Sequence, residues 1–433
     1  MQLKKKPASA RRDAISVGSA LAAATCALLG QTAGASESVE DWTFDSAVLY
    51  YSESDRVTAV EPVVRGTRTF EDDSELSLKL TFDSLTGASH NGAIVSDTGV
   101  QTFTSPSGST IYRTNPGDVP LDDTFKDTRS AVNGQYTWNL SRTWRATTGL
   151  NYSTEYDFTS LGANAGLMWD LNERNSTLTL AFAHESDTID PVGGVPTALT
   201  WQSDRVRTGT SSEDRSINDF LLGWTQVMNR RWIMQLNYNL SASSGYHTDP
   251  YKVVTLVDAA GNPEDSSTVG ATDIGDGDAQ LMEQRPDSRT KHAVYWENRY
   301  TRQNDDVVAM SYRFMTDDWG INSHTVDLRY RWKMQNDWFL QPHVRWYSQS
   351  AADFWRESIT VAEANLIQAT QDDVSADYRL GDLTDVTVGL KFGRELASGS
   401  KWNARLEFFQ QSGDTDAADV DALIGQVGYT FYW

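Results

Sequence analysis

The sequence contains a single cysteine, Cys26, in 433 residues. That cysteine lies in an N-terminal segment that reads as an export signal. The chain that remains can form no disulfide and no thiolate metal site. Long apolar runs are just as scarce. After the first 35 residues there is no stretch of about 18 apolar residues, which excludes helical membrane spans. The mean hydropathy of −0.49 agrees. Positive charge is also in short supply: 37 Lys and Arg stand against 59 Asp and Glu, a formal charge of −22. Such acidity argues against nucleic acid as a partner. No proline-rich linker, internal repeat or low-complexity block divides the chain. Aromatic residues are abundant instead, with 15 Trp, 17 Tyr and 15 Phe, too many for a disordered acidic chain.

The first residues have the order of a secretory signal. "MQLKKKPASARR" is basic, "AISVGSALAAATCALLG" is apolar, and Ala33-Gly34-Ala35 fits a small-x-small cleavage site. Residues 1–35 are expected to be a cleaved signal peptide and 36–433 a single domain. The apolar stretch is short for an anchor helix. "AAATC" lacks the leucine that a lipoprotein signal carries.

From there on, the period is two. "SELSLKLTFDS" sets Leu76, Leu78, Leu80 and Phe82 against Ser77, Lys79, Thr81 and Asp83. "SHTVDLRYRWKMQ" sets Val326, Leu328, Tyr330 and Trp332 against Asp327, Arg329, Arg331 and Lys333. "ALIGQVGYTFYW" ends the chain in the same way, with Leu423, Val427, Tyr429, Phe431 and Trp433 on one face. This is strand periodicity with one apolar face. A soluble sandwich would alternate too, but its strands average about 5–6 residues, and these run to roughly twice that. Tryptophans such as Trp42, Trp138, Trp144, Trp169, Trp232, Trp338 and Trp402 fall near strand ends, as in an interfacial girdle. Tight turns such as "NERN", "QNDW" and "ASGS" alternate with long polar segments near 87–125, 188–214, 246–287 and 350–383. The pattern predicts an all-β fold: a closed antiparallel transmembrane β-barrel of about sixteen strands in the outer membrane of a Gram-negative cell. Its short turns would be periplasmic and its long loops extracellular. Membrane lipid is then the first partner. The outer-membrane assembly machinery is the second, through the C-terminal strand ending at Trp433.

With the apolar faces toward lipid, Lys79, Asp83, Arg329, Arg331 and Arg345 point into the lumen, along with Arg313, Asp327, His343, Lys391, Arg405 and Glu407. The cations gather on the late strands. They form either an anion-favouring pore lining or a structural network neutralised by Asp327 and Glu407. Catalytic and cofactor signals are sparse. The six histidines form no HExxH pair, and no cofactor or metal is expected. "DIGDGDAQ" (Asp273–Gln280) reads as an acidic turn, because a calcium loop would close with Glu. Ser89, His90 and Asp97 are the residues from which a rim hydrolase site would be drawn, and this is the enzyme alternative to a channel, transport or partner-hosting barrel. "SLTGASHNGA" (Ser84–Ala93) reads as a turn at the rim, with Gly87, Asn91 and Gly92 supplying positive φ.

Three blocks resemble an outer-membrane protein family of unknown function: Tyr50–Ala93, Arg345–Trp355 and Ser375–Gly393. Genes of that family often neighbour a periplasmic flavin transferase, a thioredoxin-like protein and a small lipoprotein. The resemblance therefore implies a link to exported redox chemistry, with a lipoprotein or redox protein as partner. The usual family form near the first block resembles "TGASPNGA"; here His90 stands in place of the proline. The blocks fall at strand ends. Asp353, Asp377, Tyr378 and Arg379 either dock the 350–383 loop against Ser84–Ala93 as a constriction, with His90 and Asn91 opposite, or form ordinary turns.

Overall fold

The alternation resolves into a ring of strands. The computed structural model describes residues 42–54, 56–96, 100–104, 111–204, 206–264 and 279–433. The segment read as an export signal, Asp97, and the Asp273–Asp278 part of the acidic turn lie outside these residues.

Sixteen antiparallel strands form the ring. They are β1 (Trp42–Glu53), β2 (Thr58–Thr69), β3 (Glu75–His90), β4 (Leu121–Asn139), β5 (Trp144–Thr154), β6 (Phe158–Leu171), β7 (Ser176–Ile189) and β8 (Glu213–Asn229). Then follow β9 (Trp232–Gly245), β10 (Ser288–Thr301), β11 (Val307–Asp317), β12 (Asn322–Lys333), β13 (Trp338–Gln349), β14 (Leu383–Glu395), β15 (Lys401–Gly413) and β16 (Val420–Tyr432). Each strand pairs with its chain neighbour, and β1 closes on β16, with Thr43 opposite Tyr432 and Ser46 opposite Tyr429. Closure leaves no unpaired edge, which is what hydrocarbon demands of a sheet. The strand number is the one read from the sequence. At one rim the connections are short, from 230–231 to 70–74. At the other rim lie four long ones, 91–120, 190–212, 246–287 and 350–382.

The outer face is apolar and bare. Leu150 is 66 % exposed and Phe408 65 %, and Leu80, Phe182, Leu328, Val388 and Val427 share that surface. In water, an apolar band encircling the molecule would far exceed the few hundred Å² that soluble proteins leave uncovered. In lipid the same surface is buried. Aromatic side chains cluster where the strands meet the short turns. Trp144 stacks on Trp169 with centroids 5.1 Å apart, Trp402 meets Trp338 edge-on at 5.5 Å, and Phe44 stacks on Phe431 at 5.2 Å. Their amphipathic rings suit the boundary between hydrocarbon and headgroups.

The largest apolar core lies outside the barrel wall, in the long loops. Val253–Val257 pairs antiparallel with Gln280–Met282 and parallel with Ser358–Thr360. This small sheet runs into α1 (Val361–Thr370), which starts at a capping box: Thr360 accepts from the Glu363 amide and Glu363 accepts from the Thr360 amide. Val254, Leu256, Leu281, Ile359, Ala364, Val374 and Leu199 form the buried core beneath. Three loops distant in sequence thus fold into one cap at the long-loop rim, where the sequence suggested only polar loops.

Ser84–His90 is not the turn expected there. β3 runs through it to His90, with a bulge between Gly87 and Ser89 against β4. The chain turns only at Asn91–Gly92. Gly87 (φ 136°) and Gly92 (φ 95°) do take positive φ, whereas Asn91 does not. Backbone proximity explains both glycines: a Cβ on Gly87 would stand 2.1 Å from the Arg56 carbonyl oxygen, and one on Gly92 2.3 Å from that of Val253.

Candidate functional site

Two groups of charged side chains stand out, one lining the lumen and one locked into the cap. In the lumen, alternation about the exposed Leu328, Trp332, Val344 and Trp346 turns Asp327, Arg329, Arg331, His343 and Arg345 inward. The register sets Arg329 opposite His343 and Asp327 opposite Arg345. Part of the late-strand stripe is a neutralised network. Arg329 Nε donates to Asp327 Oδ1 at 3.0 Å, and Arg405 lies 3.5 Å from Glu407. His343 bridges the two carboxylates, at 2.7 Å from Asp327 and 2.8 Å from Glu407. The rest of the stripe is not neutralised in this way. Arg331 stacks over the Phe339 ring at 3.8 Å. Among the described residues, no carboxylate lies within ion-pair distance of Arg345. On the opposite wall Asp83 receives Arg129 at 2.5 Å. Lys79 faces inward beside Arg65 and Asn133.

The carboxylates of this network lie against the wall and the arginines project from it. Asp327 and Glu407 are buried. The Arg329 side chain is 48 % accessible and the Arg299 side chain 44 %, although both point into the barrel.

The second group lies within the cap. Arg285 donates from Nε to Glu283 at 2.6 Å and from Nη2 to Asp377 at 2.9 Å. Arg379 also holds Asp377, with Nη2 on the same Oδ2 at 2.6 Å and Nε on Oδ1 at 2.9 Å, and reaches Asp249 at 3.3 Å. Glu283 also accepts from Ser375 Oγ at 2.5 Å and from the Asp249 amide at 2.7 Å. Lys252 donates its ammonium to the His90 carbonyl. Burial works against charge on Asp377. The surrounding Arg379, Lys252 and Arg285 outweigh it and hold the carboxyl well below its ordinary pKa. Burial pushes the Lys252 ammonium down, partly opposed by Asp377.

These contacts locate the remaining residues singled out in the sequence. Tyr378 meets His90 edge-on, with centroids 6.1 Å apart. Asp377 accepts from Arg285 and Arg379, and Arg379 also reaches Asp249. Asn91 donates to the Tyr112 hydroxyl at 2.6 Å. Asp353 is elsewhere, packed on Gly320 in the β11–β12 turn. The His90 ring donates from Nε2 to the Ala93 carbonyl at 3.0 Å and accepts the Gly92 amide on Nδ1 at 3.1 Å. Both nitrogens are held by its own turn, which leaves neither to activate Ser89. Asp249, Lys252, Glu283 and Arg285 were missed because they sit in a long polar loop. Two signals in the sequence mark this region as folded: the β-branched run "VVTLV" at Val253–Val257, and the capping pair Thr360 and Glu363.

The cap is stitched around the mouth. Tyr251 donates to Asp157 in the β5–β6 turn, and Gln349, facing inward on β13, donates to the carbonyls of Arg379 and Gly381. The Trp319 indole donates to the Ser288 carbonyl at 2.8 Å.

A closed sixteen-strand barrel, apolar outside and charged inside, is an outer-membrane β-barrel protein. The chain belongs to the family described as "Protein of unknown function (DUF3570)", which it matches over residues 18–429. No curated protein matches it. Among solved structures it is similar to "Bacterial polysaccharide outer membrane secretin", at 8 % identity and TM-score 0.46, covering 92 % of this chain and 100 % of that one. It is also similar to "CymD monoaromatic hydrocarbon channel", at 9 % identity and TM-score 0.40, covering 92 % and 89 %. A third is Pseudomonas aeruginosa OccK2 (OpdF), at 9 % identity and TM-score 0.41, covering 90 % and 97 %.

Proposed function

We propose that the protein is a water-filled outer-membrane channel for small hydrophilic solutes, with its outer mouth spanned by the folded cap. The observation that carries this is the accessibility of inward-facing ion-paired side chains, Arg299 and Arg329. A barrel packed with side chains would bury them. The cationic groups that a solute meets are Arg345 nearer the cap and Arg329, Arg331 and Lys391 in the lower half, and rings of such groups favour anions over cations. With the short turns on the periplasmic side, the cap faces the exterior and controls entry. An outer-rim hydrolase receives no support from His90, whose ring is engaged by backbone. A lipoprotein or redox partner rests on the family resemblance alone.

The test is planar-bilayer conductance of the purified full-length protein. Discrete steps with a reversal potential favouring anions support the channel. Absence of conductance in a correctly assembled barrel overturns it.

A further inference from the structure

We propose that the lumen beneath the cap selects dipolar, zwitterionic solutes of the size of free amino acids over uncharged ones. The inference rests on the channel reading above and names its substrate class. It comes from a separation of charge between opposite walls. Four inward-facing residues sit at similar depth, three or four positions from the cap ends of their strands: Glu61 on β2, Glu185 on β7, Arg313 on β11 and Arg345 on β13.

The acidic pair is only partly neutralised locally. Glu61 meets Arg129 at 3.9 Å, but Asp83 already holds that arginine at 2.5 Å. Glu185 is bound by neutral partners, Ser160 Oγ at 2.6 Å and Asn151 Nδ2 at 3.3 Å. Nearby on β8, Asp219 adds a buried carboxylate oxygen, Oδ1, without a hydrogen-bond partner. The basic pair is less matched still. Arg313 lies in the field of Arg345, a like charge, and among the described residues neither has a carboxylate within ion-pair distance. Asp385 on β14 lies in the field of Arg345, and Asp327, opposite Arg345 on β12, is held by Arg329 and His343.

In the sixteen-strand ring, β7 and β13 are six strands apart and β2 and β11 seven, close to diametrically opposite. The other lumen ion pairs span no more than two strands of the ring, as Arg215 with Asp187, Arg289 with Asp317 and His343 with Glu407 do. They leave this transverse surplus intact. A field directed across a wet lumen exerts no net pull on a neutral zwitterion, but it orients and stabilises the dipole as it passes. An uncharged sugar of equal size gains nothing comparable.

Osmotic swelling of liposomes carrying the full-length protein tests this, with glutamine and xylose as probes of similar mass. Glutamine is expected to enter several-fold faster than xylose. Glu185→Gln and Arg345→Gln, on opposite walls and each checked for heat-modifiable mobility, should each bring the ratio toward one. Equal rates in the parent protein, or a ratio unchanged in both assembled variants, overturns the proposal. Entry of neither probe defeats the channel reading, and this proposal with it. Entry of xylose at the rate of glutamine leaves the channel standing and defeats the selectivity alone.

Discussion

Lys252, in the loop after β9, donates its ammonium to the carbonyl of His90, the last residue of β3. One side chain thus ties the cap to the barrel wall from within a buried charged cluster. Removing one member of such a cluster strands the others in a low dielectric, at a cost of about 3–5 kcal/mol. Arg285→Ala, which leaves Glu283 and Asp377 without a shared partner, is expected to release the cap while the barrel stays folded. Limited proteolysis should then cut within 246–264 at a rate at least ten times that of the parent. Heat-modifiable mobility should be retained.

Acid should loosen the same loop. Burial pushes the His247 pKa down to about 4, against about 6.5 for an unfolded histidine. The unfolded loop therefore binds more protons between these values. The contribution of neutral His247 is complete above about pH 6.5 and is lost as pH falls toward about 4. Asp377, held low, loses its contribution only at still lower pH. Amide exchange across Tyr246–Val257 should rise through the histidine window. The rise should be absent in His247→Asn.

Glycine at position 87 is required by the Arg56 carbonyl, which leaves no room for a Cβ. Gly87→Val would have to break the β2–β3 rim or strain the backbone, at a cost of about 1–3 kcal/mol or more. The expected outcome is a reduced fraction of heat-modifiable protein in outer-membrane fractions, with Gly425→Val, which has open space around it and no positive φ, as the neutral control.

Leu328 and Arg329 are adjacent in sequence and face opposite solvents. Leu328→Arg places a charge in lipid and should cost about 2–4 kcal/mol near the bilayer centre. A lower urea midpoint for unfolding from lipid vesicles would show it. A midpoint unchanged from the parent would mean that this face is not in the hydrocarbon.

Arg331 and Arg345, like Arg313 and Lys391, are stripe residues outside the His343 network. Replacing both with Ala should leave assembly intact and shift the reversal potential away from anions. Failure to assemble would place them among the structural residues instead.

Much of the architecture was legible in the sequence because lipid and lumen impose period two on every strand. Leu78, Leu80 and Phe82 against Lys79, Thr81 and Asp83 state which face meets which solvent, and turn length states where each strand ends. Sixteen strands followed from that alone. The division of the late-strand stripe did not. Asp327 and Glu407 take Arg329, His343 and Arg405 through cross-strand register, while Arg331 and Arg345 are left over, and register is a property of paired strands. The cap was least legible. Asp249, Lys252, Glu283, Arg285 and Asp377 come from loops as far as 128 residues apart in the chain, and no local periodicity relates them. Their association was decided in the tertiary structure, where closing the barrel brings the long loops together over one mouth and burial makes each charge depend on its partners.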